Sequence, residues 1–207
     1  MISWLQGGPF LELSFVTTNC TKLETIINQI QNMDVKITVE NQIESLQEFY
    51  RGYSYDVDDP NSKIMHSITL NITVHTIRQR RALLIVEKFG SDLLFFSMCF
   101  FGDLEDAPEW SQPGIRCDEV YEFRSLLILL FKELKFSVGG LAIEEDVKTL
   151  FETEGEWPYE QCTLSNVKLG DNLSKFLTVI VDELLKDVLT EINYKHLDNS
   201  GILIEVN

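Results

Sequence analysis

The residues of this chain best suited to chemistry are carboxylates in two short runs. Asp103, Glu105 and Asp106 follow the apolar stretch LLFFSMCFF, and Glu144, Glu145 and Asp146 close the stretch VGGLAIEED. If the stretches over 92–101 and 137–144 are parallel strands joined by a helix, both runs leave one edge of a sheet. Ligands of open α/β sheets bind beyond the carboxyl ends of their strands. Oxygen-only groups converging there suit magnesium, manganese or calcium. That is one reading: a metal-dependent hydrolase using Asp103, Glu144 and Asp146. The spacing matches no established ion-binding loop. Two plainer roles fit the same residues. Acidic groups at 144–146 stabilise the start of a helix over 147–152, or they form a surface for a basic partner.

The acidic character is uneven. Between 103 and 122 lie Asp103, Glu105, Asp106, Glu109, Asp118, Glu119 and Glu122 against Arg116 alone. Between 144 and 160 lie Glu144, Glu145, Asp146, Glu152, Glu154, Glu156 and Glu160 against Lys148 alone. Trp110, Trp157 and Tyr159 sit inside these stretches. Aromatic residues are enriched at the centres of protein interfaces. Asp103, Glu105, Asp106, Trp110, Glu144, Glu145, Asp146, Trp157 and Tyr159 therefore form the candidate partner-binding set. The competing role for the tryptophans is to tuck beneath loops as small satellite cores.

Other reactive residues carry less. His66 and His75 are an odd number of residues apart on one extended stretch, so they face opposite ways and cannot share a metal. His196 stands apart from both. Cys20, Cys99, Cys117 and Cys162 form no CxxC pair, which removes zinc-ribbon spacing. Cys99 lies mid-strand and reads as inert. No P-loop, GxGxxG, GxSxG or HExxH occurs. Gly139-Gly140 reads as a bulge or a close helix contact. RQRR at 78–81 pairs with the protein's own carboxylates or guards a strand edge. No catalytic constellation emerges, and no cofactor is implied.

The chain has 207 residues, with 17 basic and 33 acidic ones, for a net charge of −16. A surface of that sign disfavours the phosphate backbone of nucleic acid and anionic membranes, and speeds encounter with a basic partner. The longest apolar runs are far shorter than the roughly 20 residues a membrane span needs. The start MISWLQGGPF lacks a basic, then apolar, leader pattern. These features lead us to expect a cytoplasmic protein with free thiols.

The elements that would position these groups follow from periodicity. PFLELSFV (9–16) reads as a strand, 21–32 as an amphipathic helix and 34–41 as a strand. A short helix follows over 42–52, then a loop over 53–62. IMHSITLNITVHT (64–76) reads as one long strand with Ile64, His66 and Ile68 on one face. Strands at 82–89 and 92–101 form a hairpin. A helix over 119–135, capped by Asp118, leads to a strand at 136–144. Leu173, Phe176, Leu177, Ile180, Val181, Leu184, Leu185 and Val188 predict an amphipathic helix over 172–190, capped by Asp171. ILIEV (202–206) closes the chain as a strand. The expectation is an α+β or α/β domain over 1–207: a mixed sheet with helices, in two β-α-β halves (1–78 and 79–207) of ferredoxin-like pattern. The expected function is a non-enzymatic protein-binding module with an acidic, aromatic-bearing face, such as an inhibitor or toxin-immunity protein; the hydrolase is the alternative.

Overall fold

The fold is built around one sheet whose central strands are buried on both sides. The computed structural model describes residues 10–18, 22–40, 42–59, 61–90, 92–101, 115, 119–153, 162–189, 192–198 and 200–206, without the side chains of 42–45. The elements run β1 (Phe10–Thr18), α1 (Leu23–Gln31), β2 (Ile37–Val39), α2 (Gln42–Arg51), β3 (Tyr53–Ser54), β4 (Ile64–Met65), β5 (Ser67–His75), β6 (Gln79–Lys88), β7 (Leu93–Phe101), α3 (Val120–Leu134), β8 (Val138–Ile143), β9 (Phe176–Asp182), β10 (Lys195–Leu197) and β11 (Gly201–Glu205). Short 3-10 turns cover Val147–Leu150, Leu164–Asn166, Asp171–Lys175 and Glu183–Val188.

Among the described residues nine strands form one sheet in the order β10-β11-β9-β8-β1-β7-β6-β5-β2; β3 and β4 pair separately. Among the described residues every ladder is antiparallel, so the fold is α+β with an antiparallel sheet rather than the mixed one expected. β7 and β8 do run in the same direction, but β1 lies between them and pairs with both. β1, from the first half of the chain, is thus enclosed by strands of the second half.

One face of the sheet carries Leu11, Leu13, Phe15, Leu84, Val86, Phe96, Met98 and Phe100 against α1 and α3. α1 contributes Leu23, Ile26, Ile27 and Ile30, and α3 contributes Phe123, Leu126, Leu127, Leu130 and Phe131. These spacings build one apolar stripe per helix. Phe15 stacks between Phe96, at 4.9 Å, and Phe136, at 5.1 Å. Each such aromatic pair adds about 1 kcal/mol beyond its buried area. The opposite face carries Val16, Phe95, Val138, Ala142, Val179, Val181, Ile202 and Ile204 beneath Val147, Leu150, Phe151, Leu169 and Leu189. The middle of the sheet is therefore covered on both sides. That accounts for the unbroken apolar run of β7, whose residues 93–100 are all buried.

Gly139 and Gly140 belong to this double covering. A Cβ on Gly139 would come within 2.5 Å of the Phe136 ring, and one on Gly140 within 2.6 Å of the Phe176 ring. Rings press on the strand from both faces, so neither position has room for a side chain. The bulge lies just beyond, between Leu141 and Ala142.

Four expectations are corrected. Residues 172–190 are not a helix: β9 occupies 176–182, between 3-10 turns at 171–175 and 183–188. Thr178, Val179, Ile180 and Val181 are β-branched and favour extended backbone. All four are buried because β9 is covered on both faces. Leu184, assigned to the apolar stripe, is 91% exposed. Asp171 lies within its turn, with Gly170 at the cap position. The strand at 64–76 breaks at His66, whose Nδ1 lies 2.8 Å from the Phe49 carbonyl oxygen. Its first two residues form β4, where Met65 rather than Ile64 is buried. Residues 53–62, read as loop, supply β3, the other side of that hairpin. Finally, the helix expected over 147–152 is a 3-10 turn over Val147–Leu150. Asp118 lies outside the described residues; the N-cap position of α3 is Glu119.

The RQRR segment begins β6. Arg80 is 1% exposed and donates to Glu119 Oε2 from Nη2 at 2.5 Å and from Nε at 3.1 Å. Arg78 Nε lies 3.6 Å from Glu119 Oε1. The pair ties the start of α3 to β6. Truncating one member of a buried ion pair strands a charge away from water, at a cost of about 3–5 kcal/mol. Glu119→Ala should therefore lower the urea midpoint by an amount equivalent to about 3 kcal/mol. The double change Arg80→Met with Glu119→Leu should recover most of that loss. Equal midpoints for the single variant and the parent would show that the pair does not anchor α3.

Candidate functional site

The rim where β7 and β8 end is the place to which sequence assigned function. Phe101 and Phe10 pair there, as do Ile143 and Leu11. The two acidic stretches therefore start on either side of β1. Asp103, Glu105, Asp106, Trp110, Trp157 and Tyr159 lie outside the described residues. Glu144 is exposed, with its N–H donating to the Phe10 carbonyl at 3.1 Å and a left-handed φ of 51°. That conformation turns the chain away from the sheet plane and back across its second face.

The turn carries Glu145 and Asp146 inward. Glu145 lies 3.2 Å from Lys175 Nζ. Asp146 caps the 3-10 turn, its Oδ1 accepting from the Lys148 N–H at 2.7 Å. Lys148 Nζ reaches Asp146 Oδ2 at 3.4 Å and Glu87 Oε2 at 2.9 Å, and sits 4.1 Å from the centre of the Phe95 ring. The expectation of a capping carboxylate holds for Asp146, on a shorter element than foreseen. Glu119, counted among the acidic residues of 103–122, is engaged by Arg80 of β6 and by Arg78 just before it.

Beneath this turn lies a polar cluster that sequence reading missed. Glu12 is on β1, the strand at the middle of the sheet, and is only 7% exposed. Its carboxylate accepts a hydrogen bond from the Ser97 hydroxyl. Ser97 Oγ lies 3.4 Å from Cys99 Sγ, and Cys99 is the residue opposite Glu12 in the ladder. Ser14, one step along the same face, accepts from the Val147 N–H at 3.0 Å. Burial pushes the Glu12 carboxyl up to about 7. The Ser97 hydroxyl opposes that rise, Asp146 and Glu145 add to it, and Lys148 partly offsets it. Burial also raises Asp146, against the pull of Lys148. Cys99 is pushed up to about 12 by burial and by Glu12, and Cys162 to about 11 by burial. Both are poor nucleophiles at neutral pH. The signal that could have found Glu12 is that it is the one charged residue of the strand FLELSFVTT.

A second missed feature is the β3–β4 hairpin. Tyr53, Tyr55, Val57 and Ile64 are each more than half exposed, and Asp56, Asp58 and Asp59 lie between the strands. The tip is internally bonded: Asp58 N–H to Asp56 Oδ1 at 2.9 Å, and Asn61 N–H to Asp59 Oδ1 at 2.8 Å. It joins β5 at Ser67, which pairs with Glu87 near the far end of β6. The hairpin is thus at the opposite end of the sheet from the rim of β7 and β8.

Among the described residues no three His, Cys, Asp or Glu side chains converge to hold a metal ion, and no helix is long and apolar enough to cross a membrane. Compared with protein-family models, with curated proteins and with solved structures, the chain matches none.

The raised Glu12 makes stability depend on pH with a defined sign. Between its ordinary value near 4.5 and about 7, the folded protein holds a proton that the unfolded chain releases. Stability from this group is therefore complete below about 4.5 and declines as pH rises to about 7, by on the order of 3 kcal/mol. Glu12→Gln keeps an acceptor for Ser97 and removes the titration. The variant should match the parent in urea unfolding at pH 5 and exceed it at pH 8. Parallel pH profiles for the two proteins would rule out Glu12 as the responsible group.

Proposed function

We propose that the protein is a non-enzymatic cytoplasmic module that binds a basic protein, in the manner of an inhibitor or toxin-immunity protein. The binding face is the rim at which β7 and β8 end. The observation that carries this reading is the common edge: both acidic stretches start there, separated only by β1. Asp103, Glu105, Asp106 and Glu144 supply charge and Trp110 an aromatic anchor. Trp157 and Tyr159 are left out of this face, because the described residues that flank their stretch, Phe151 and Cys162, lie against Phe89 and Gly90 at the other end of β7. Glu145 and Asp146 contribute to the field of the rim although Lys175 and Lys148 engage them. Pairing does not remove the surplus of acidic groups, because each pair cancels one charge of either sign. The net charge of −16 steers a basic partner and makes its capture sensitive to salt.

The test uses the whole chain as immobilised bait, in three forms. One is the parent, one carries Asp103→Lys, Glu105→Lys and Asp106→Lys, and one carries Asp56→Lys, Asp58→Lys and Asp59→Lys at the hairpin. A basic protein held by the parent and the hairpin variant at low salt, lost at high salt and lost by the rim variant, is the expected result. Capture that ignores salt, or that fails only when the hairpin is changed, would reject the rim as the binding face.

A further inference from the structure

The turn after β8 crosses the sheet directly over the buried polar cluster of Glu12, Ser14 and Ser97. Residues 144–150 leave the rim at Ile143 and reverse direction at Glu144. They are fixed one ladder step from Glu12: the Val147 N–H bonds to Ser14, and Ser14 is opposite Ser97. The next fixing point is Lys148, held between Glu87 and the Phe95 ring. Asn172 Nδ2 donates to the Thr149 carbonyl at 2.8 Å, and Lys175 meets Glu145, so the far side of the segment is tied to the 171–175 turn. Val147 and Leu150 complete the covering by entering the second core.

We propose that residues 144–150 form a pH-sensitive latch over the second face of the sheet, closed when Glu12 is protonated and loosened when it ionises. Closure sets Glu87 and Asp146 on the ammonium of Lys148 and Glu145 on that of Lys175, and brings Asp146, Glu145 and Lys148 close enough to act on Glu12. Among the described residues the other groups facing Glu12 are neutral. Ser97 and Cys99 face it from β7, and Ala142 is its ladder partner on β8. Cys99 stays protonated throughout the neutral range, since burial pushes it up to about 12. A proton on Glu12 lets the segment lie flat. Loss of that proton adds a buried anion beside Asp146 and Glu145, and the relief available is for the segment to lift and admit water to the carboxylate. Asp146, itself raised by burial, acts in the same direction. Lifting uncovers Ser14, Ser97 and Cys99 while leaving the α1 and α3 side of the sheet packed.

Hydrogen exchange read at single amides tests this, after correction for the intrinsic rate at each pH. Exchange of the Val147 and Lys148 amides should report an opening constant that rises on the order of tenfold from pH 6 to pH 8. The Ile27 and Ile30 amides of α1 should need a larger opening free energy than the turn at both pH values, because the turn lifts without unfolding the sheet. Glu12→Gln should flatten the response of the turn. Ser97→Ala removes a donor that favours the ionised carboxylate, so it should move the response to higher pH. This second variant keeps the test alive if the first does not fold. Alkylation of Cys99, followed by mass spectrometry and corrected for thiolate fraction, should track the same opening. A flat response in the parent, an unchanged response in Glu12→Gln, or opening of the turn only together with α1 would each overturn the latch.

Discussion

Covering both faces of β1 is the constraint on which the rest of the structure depends. A strand at the middle of a nine-stranded sheet has no exposed edge, and here it has no exposed face either. Its neighbours β7 and β8 inherit the same condition, so their sequences are apolar without alternation. One face is covered by two helices, which bring a ready-made stripe of leucine, isoleucine and phenylalanine. The other is covered by irregular chain carrying 3-10 turns at 147–150, 164–166, 171–175 and 183–188. Such a chain has unmatched backbone groups, and it finds partners for some of them on the sheet itself. Ser14 accepting from Val147 is one such bond. A wholly apolar strand could not have made it.

The internal ion pairs follow from this covering. Arg80 with Glu119 fastens the start of α3 to β6, and Arg124 with Glu205 and Thr178 fastens its middle to β11 and β9. Lys148 with Glu87 and Asp146 does the equivalent work on the other face. In each case a long cationic side chain bridges a strand and a covering element. Because each bond is local and charge-neutral, the large negative excess is not consumed by the fold. It remains for the surface, where it governs solubility and encounter rather than stability.

Much of this was legible in sequence where one face of an element is dry and the other wet. α1, α2 and α3 appear close to their expected bounds because each has one buried stripe. β7 was also recognisable, as an apolar run too short for a helix of that composition. Legibility failed where both faces are buried. In β9 the same leucines and valines satisfy a helical period and a doubly covered strand equally well, and only the β-branched run Thr178–Val181 separates the two. It failed again at His66, where a continuous alternation conceals a break. Strict alternation gives no cue to the hydrogen bond that the imidazole makes with Phe49. For the site, the common rim of β7 and β8 followed from the crossover through α3. Glu12 did not emerge, because an acidic residue in a strand reads as its wet face until a covering segment from far along the chain is known.

The rim and the latch occupy one continuous piece of chain, and thermodynamics then couples them. Glu144 and Glu145 belong to the proposed binding face, while Asp146 to Leu150 lie over Glu12. A cationic partner seated at the rim lowers the electrostatic cost of a negative Glu12, so binding favours its ionised state. Linkage requires the converse: ionising Glu12 strengthens the partner's hold by the same free energy. The coupling needs no long pathway, since Glu145 and Asp146 already act on Glu12 directly. A partner that grips the lifted segment would bind more tightly as pH rises through neutrality. One that needs the segment flat would lose affinity over the same range. The sign of that dependence therefore distinguishes which conformation of residues 144–150 the partner selects.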